Sequence, residues 1–313
     1  MKAIERRTFL KGAAAISVAA VLKPVEIYGS RPESVTSEPY NGGDVGIYIS
    51  SDVKGIDARF RYIADLGFKM CELYTNSYTL EMAKPLGDAM VKYGVEVVAL
   101  FTLGPGKTTW DFYEGQQNIG LVSKEFREGR INALIQLSDL AKACNVKMVE
   151  THVGYIPENP FDPNYRDTVE ALKRVVGHCA KNEQCFLYHA GQETPTTLMR
   201  TMKDVGFENQ GVGMDTANVI MYDRGHPVYA LEVYGDKLKL VNAKDGLYPT
   251  DPVKLGREVQ IGQGRVDFPN YIKKLKEIGY QGPVVIEREA TKGEQWEKDV
   301  LQSREYLRIL LNG

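Results

Sequence analysis

Cysteine is scarce in this chain. Cys71, Cys144, Cys179 and Cys185 are the four present in 313 residues, and no two of them form C-x-x-C or another metal-ligand spacing. That excludes a thiolate zinc site and a small disulfide-stapled scaffold. Each of the four lies in an apolar run, so free buried thiols are expected. Long hydrophobic runs are missing as well. No window of about 18 residues in the body of the chain is apolar throughout, which excludes a membrane-spanning helix there. Neither sign of charge dominates: 39 Lys and Arg face 41 Asp and Glu, for a net charge of −2. Nucleic-acid binding needs a basic stripe, and without one no nucleic-acid partner is expected. No G-x-G-x-x-G follows the first strand-like run, which argues against a doubly wound open sheet, and no glycine motif for cradling phosphate stands out, which argues against a phosphorylated substrate.

What is present begins at the N-terminus. In "ERRTFLKGAAAISVAAVL", Arg6 and Arg7 precede Phe9, Leu10 and Lys11, and a modest Ala-rich apolar stretch then runs from 12 to 22. This is the pattern of a twin-arginine export signal, too short to span a bilayer. The competing reading is an ordinary basic, apolar N-terminal helix. Losing residues 1–22 would remove four cations (Lys2, Arg6, Arg7, Lys11) and one anion (Glu5), shifting the net charge from −2 to −5. The expectation is an acidic protein in the periplasm or another extracytoplasmic space, with no stable membrane insertion once the signal is removed. No clear small-x-small cleavage site follows. Residues 23–43, rich in Pro, Ser, Gly and Glu, read as a linker. The folded part is then 44–313.

From Asp44 onward, short β-branched runs alternate with segments of helical period. Strands are expected over 45–49, 69–74, 96–101, 147–152, 185–189, 211–215, 238–243 and 284–287. Helices are expected near 57–66, 80–93, 125–143, 164–182, 195–204, 227–234, 268–278 and 296–311. "INALIQLSDLAKAC" and "YIKKLKEIG" show the i, i+3, i+4 spacing most clearly. Eight strands and eight helices in strict alternation, ending on a helix, predict a single (β/α)8 TIM barrel.

In such a barrel the site lies at the C-terminal ends of the strands. Those ends carry Glu72 ("MCELY"), Glu150 and His152 ("MVETHVG"), His189, Asp215 ("GMDTAN"), Asn242 and Lys244 ("VNAKDG") and Glu287 ("VVIERE"). A lone histidine on an apolar strand is more often a satisfied core residue, and Asp215 alone could be a helix cap. Glu287 after four apolar residues is harder to explain as structure, because burying an unpartnered carboxylate costs several kcal/mol. Together, carboxylates and imidazoles converging on one rim suit a borderline divalent ion, with Mn or Zn the leading choices. Such an ion polarises a carbonyl so that a side-chain base can remove the neighbouring C–H proton. The loop 102–124 is long for a βα connection and carries Trp110, so it is a candidate lid and sugar-stacking wall. The strand-seven loop brings Arg257 toward the same rim. Arg288, next to Glu287, should fall on the other strand face, outside the barrel.

The run "HAGQETPTTL … GVGMDTANVIMYDRGHPVYAL … LVNAKDGLYP … KLGREVQIGQGRVDFPNYIKKLKEIGYQGPVVIERE" resembles the xylose-isomerase-like barrel superfamily, and "ETHVGYIPENP" fits the same group. That group holds sugar and sugar-phosphate isomerases and epimerases, inosose dehydratase and an abasic-site endonuclease. The resemblance covers most of 44–311 and is densest from 189 to 289. It implies that Asp215, in D-x-x-N with Asn218, and Glu287 are metal ligands, and that His152 is the family histidine on its strand. Two positions depart from the family. His189 stands where a glutamate is usual, and Asn242 stands where a histidine is usual. In similar epimerases two glutamates exchange protons across the substrate, and here one of that pair is gone.

The expected ligand set is therefore His189, Asp215 and Glu287, with His152 as a nearby ligand or proton carrier. Glu287 or His152 acts as base, Glu150 supplies a carboxylate from one layer deeper, and Lys244 polarises or protonates a substrate oxygen unless it is merely paired with Asp245 or another carboxylate. Trp110, Asn218, Asn242 and Arg257 are expected to contact substrate. The leading function is isomerisation or epimerisation of an unphosphorylated sugar or keto-sugar. A lyase or hydratase acting on keto-glycosides, or a carbohydrate-binding barrel without catalysis, are the alternatives. The partner is a small carbohydrate, and the sequence leaves room for a homo-oligomer.

Overall fold

The structure is a computed structural model and describes residues 44–313; the export-signal and linker readings fall on residues 1–43, outside the described residues. Ten strands are present: β1 Gly46–Ser50, β2 Met70–Tyr74, β3 Glu96–Phe101, β4 Met148–Thr151, β5 Cys185–Ala190, β6 Gln210–Asp215, β7 Leu238–Ala243, β8 Asp245–Leu247, β9 Arg257–Val259 and β10 Val284–Ile286. Eight of them close a parallel barrel in the order β1-β10-β7-β6-β5-β4-β3-β2. The expected barrel is the observed one. The helices are α1 Ile56–Asp65, α2 Ala83–Tyr93, α3 Gly115–Asn118, α4 Arg127–Ala143, α5 Pro163–Lys181, α6 Pro195–Val205, α7 Asn218–Met221, α8 Pro227–Tyr234, α9 Phe268–Glu277 and α10 Gly293–Asn312. None of them is long and apolar enough to cross a membrane.

Local chemistry sets the element boundaries. The Asp162 side chain accepts from Asn164 N ahead of α5, Thr194 accepts from Thr197 N ahead of α6, and each of these helices has proline in its first turn. Helix α2 stops at Gly94, whose φ of 63° is left-handed. Val45, Ile47, Ile49, Leu73, Val149, Phe186, Tyr188, Val212 and Val241 lie in one large buried cluster with the helices' apolar faces. A smaller set, Val98, Ala99, Leu187, Leu240 and Val285, forms a second one. All four cysteines are free thiols; Cys71 and Cys179 are buried and the other two partly so.

The antiparallel pair β8–β9 was not expected. Its segments, "DGL" and "REV", are three residues long and have no apolar alternation for a sequence reading to detect. The long loop 102–124 is fastened from beneath. Arg130 of α4 is 1% exposed and donates to the carbonyls of Pro105, Lys107, Asn118 and Gly120 at 2.8–3.1 Å. Among the described residues no carboxylate pairs with it, and burial lowers its pKa to about 10. Peptide dipoles solvate this guanidinium, and in return it satisfies carbonyls that the irregular loop cannot pair for itself.

Candidate active site

The carboxyl ends of the strands converge on a cavity of about 1290 Å³ whose wall includes Tyr48, Phe101, Trp110, His152, Asn218, Lys244 and Glu287. At its floor are two overlapping clusters of potential ligand atoms, Glu72 with Glu150 and His189, and His189 with Asp215 and Glu287. Within each cluster the atoms lie within 4.8 Å of one another. His189 belongs to both. Its Nδ1 is 2.9 Å from Glu150 Oε1, and its Nε2 is 3.7 Å from Asp215 Oδ2, beyond hydrogen-bond reach. The ring stacks on Phe101, with centroids 5.1 Å apart and planes 8° from parallel, which fixes its orientation.

Asp215 does two jobs with its two oxygens. Oδ1 accepts from the amides of Ala217 and Asn218 at 2.8 and 2.9 Å, bracing the turn into α7, whose own N-cap residue is Ala217 rather than Asp215. Oδ2 is aimed into the site, 3.4 Å from Lys244 Nζ. Lys244 also reaches Glu287 Oε1 at 2.8 Å and Glu289 Oε2 at 2.6 Å, and so holds three carboxylates. Its neighbour Asp245 does not pair with it. The Asp245 carboxylate accepts from the amides of Gly246, Gly262, Gly264 and Val266, folding the strand-seven loop around itself. Asn242 donates through Nδ2 to Glu72 Oε2 and, at 3.3 Å, to Glu287 Oε2.

Titration follows from this packing. Burial pushes the Glu287 carboxyl up to about 7, with Lys244 opposing and Asp215 adding to the rise. Burial and the Glu150 charge hold Glu72 well above the usual carboxylate range. Burial disfavours a charged His189, but the carboxylates on its two nitrogens outweigh that, and its pKa is raised well above the ordinary value. His152 moves the opposite way, driven down by burial and by the neighbouring His189, whose ring centroid is 4.3 Å away. His152 Nδ1 faces Gln192 Oε1 at 3.0 Å, and Trp110 sets its edge against the same imidazole at 5.2 Å.

A cation fits this floor. His189 Nε2, Asp215 Oδ2, Asn242 Oδ1, Glu72 Oε1 and Glu150 Oε2 are all buried without a hydrogen-bond partner. Unpaired buried polar atoms are costly, and here those of Glu72, Glu150, His189 and Asp215 lie in the two ligand clusters. The family model for a xylose isomerase-like TIM barrel matches residues 60–310. The chain belongs to that family. A xylose isomerase domain protein from Planctomyces limnophilus is 27% identical, with a TM-score of 0.79, covering 87% of this chain and 98% of that one. A xylose isomerase-like barrel protein from Mycobacterium smegmatis, solved with magnesium, shares the fold at 16% identity and a TM-score of 0.66, covering 88% and 98%. A putative L-ribulose-5-phosphate 3-epimerase from Haemophilus influenzae is 34% identical over 74 residues, 23% of this chain and 26% of that protein. The chain spans 57% and 26% of the lengths of the two curated relatives it matches.

The sequence-derived candidates do not all meet at the site. His152, Trp110, Asn218, Lys244 and Glu287 line the cavity, while Glu150, His189, Asp215 and Asn242 form its buried floor. Arg257 does not reach it. It is exposed on β9, whereas its neighbour Glu258 lines the cavity, because the three-residue hairpin turns alternate side chains to opposite sides. Arg288 corrects the expectation in the other direction. It lines the cavity wall, ion-paired to Glu258 at 2.6 Å and Asp299 at 2.8 Å, because β10 ends at Ile286 and strict alternation ends with it. Glu289 was missed; its i+2 spacing from Glu287 was the available signal.

Glu193 was also missed. It is 3% exposed, and burial raises its pKa to about 8 from an ordinary value of 4.5. Between those two pH values the folded protein keeps a proton that the unfolded chain releases. Its contribution to stability therefore falls as pH rises from about 4.5 through about 8 and then levels off. Glu193→Gln should flatten this dependence, narrowing the Tm gap between pH 5 and pH 9 by several degrees in thermal melts. An unchanged gap would show that the proton is not held there.

Proposed function

We propose that this barrel is a metal-dependent isomerase or epimerase of an unphosphorylated sugar or keto-sugar, working by proton removal beside a carbonyl. The observation that carries the reading is the cluster of His189, Asp215 and Glu287, whose potential ligand atoms lie within 4.8 Å of one another, with His189 Nε2 lacking a hydrogen-bond partner. His189, Asp215 and Glu287 would hold the ion, with Asn242 Oδ1 in the position the family gives to histidine and His152 close by. Mn or Zn suits this mixed nitrogen and oxygen set. A bound divalent ion supplies Lewis acidity to a substrate carbonyl. Glu150 Oε1 accepts from His189 Nδ1–H and leaves Nε2 as the free ligand atom, the usual carboxylate–histidine support of a metal site.

Glu287, with a pKa of about 7, is suited to take the substrate proton at neutral pH. The C–H electron pair becomes the C=C of an enediol, and return of a proton to the opposite face gives the epimer. His152, which burial keeps neutral, would relay that proton from solvent, taking one up on one ring nitrogen as it gives one from the other. Lys244 holds Glu287 in place and balances its charge. Trp110 and Asn218 line the ring-binding side. The epimerase name of the Haemophilus relative supports this class of chemistry. A second reading is favoured by His189 itself: without the paired glutamate, one-sided elimination from a keto-glycoside needs no carboxylate on the opposite face.

Incubation with ketohexoses and 3-keto-glucosides in D2O tests both. Deuterium appearing beside the carbonyl with the skeleton intact supports epimerisation, and release of an aglycone supports elimination. Binding with neither outcome would leave a carbohydrate-binding barrel. Export is part of the same proposal. Lysine substitution of Arg6 and Arg7 should leave the protein in the cytoplasmic fraction.

A further inference from the structure

The cavity is larger than the reaction requires. Clefts of roughly 300–1,000 Å³ hold drug-sized ligands, and this one reaches about 1290 Å³. A single sugar ring at the acid floor leaves much of it unfilled. The same cavity is also lined by Arg59 and Tyr62 of α1, by Lys292 just ahead of α10 and by Trp296 in its first turn. Arg288 lines it too.

This stretch of wall is a prepared surface. The rings of Tyr62 and Trp296 stack at 6.0 Å with planes 24° apart. Their polar ends are tied back: Trp296 Nε1–H donates to the Arg288 carbonyl at 3.0 Å, and Tyr62 O–H donates to Glu297 Oε1 at 2.6 Å. The hydrogen-bonding groups of the pair are thus already engaged, and what the rings offer to the cleft is apolar surface. Neither Arg59 nor Lys292 takes part in an ion pair among the described residues, so both remain available as donors beside the aromatic pair. An aromatic face flanked by free donors suits the C–H face and rim hydroxyls of a pyranose.

We propose that the α1–α10 cleft is a subsite for the second sugar ring of a glycoside whose first ring sits over Glu287 and His152. This rests on the sugar reading above and narrows it from free monosaccharides to two-ring substrates. The outer ring stacks on Trp296 and Tyr62, and Arg59 donates to its hydroxyl groups.

Calorimetric titration of the metal-loaded protein with glucose, cellobiose and maltose tests the proposal. At least one disaccharide should bind tenfold or more tighter than glucose. Trp296→Ala should abolish that advantage while changing glucose affinity less than twofold, and Trp296→Phe should retain most of it. Arg59→Ala, a change at a half-exposed helical position, should lose part of the advantage even if the tryptophan variant folds poorly. Equal affinity for one and two rings, or equal weakening of both by Trp296→Ala, overturns the subsite and leaves the sugar reading standing. Failure of all three sugars to bind overturns the subsite and counts against the sugar reading as well.

Discussion

Glu287→Gln lowers turnover about a thousandfold, within the ~10²–10⁴ that a positioned acid–base group contributes, and leaves the fold intact. The glutamine is nearly isosteric. Its Oε1 can still accept from Lys244, which reaches Glu287 at 2.8 Å, so packing at the end of β10 changes little. What disappears is the one floor carboxylate that both lines the cavity and has a pKa brought to about 7 by burial. Because Glu287 is also a proposed ligand, metal content has to be measured beside rate. Loss of deuterium exchange at retained metal isolates the base role, and parallel loss of both assigns the defect to the ion. Residual turnover within tenfold of wild type would remove Glu287 from the chemistry altogether.

Gly213→Ala is expected to destabilise the fold from within the site. A Cβ at this position would lie 1.9 Å from Glu150 Oε1 and 2.6 Å from its carboxyl carbon. Gly213 pairs with His189 in the β5–β6 ladder, so the missing side chain is what admits the Glu150 carboxylate beside the imidazole. The Cβ forces that carboxylate off His189, and breaking a buried pair costs about 3–5 kcal/mol. Denaturant unfolding should show a loss of that size. In the double variant Gly213→Ala with Glu150→Ala, the second change should cost less than it does alone, because the clash has gone. Simple additivity would contradict the steric account.

The fold was legible because eight apolar runs alternate with helical-period segments, a pattern with few other solutions. The site was legible for the same reason. Glu150, His189, Asp215 and Glu287 each end an apolar run, so polar residues there needed a purpose. What escaped lies where periodicity lapses. Arg257 and Arg288 exchanged places, one on a three-residue hairpin strand and the other past the end of β10. Glu193 is buried by the folded structure around it, and nothing in "HAGQET" distinguishes it from a surface residue at a helix start. The split of the K-D pair, with Lys244 toward the site and Asp245 toward the loop amides, also needed coordinates. In sequence the two are simply adjacent opposite charges.

The account stands on the claim that His189, Asp215 and Glu287 hold one divalent ion. Elemental analysis of the purified full-length protein, after dialysis in buffer supplied with Mn and Zn, tests it most directly. The account predicts close to one equivalent of metal per chain in wild type and less than a tenth of that in His189→Ala. Equal metal in both proteins, or none in wild type, would contradict it.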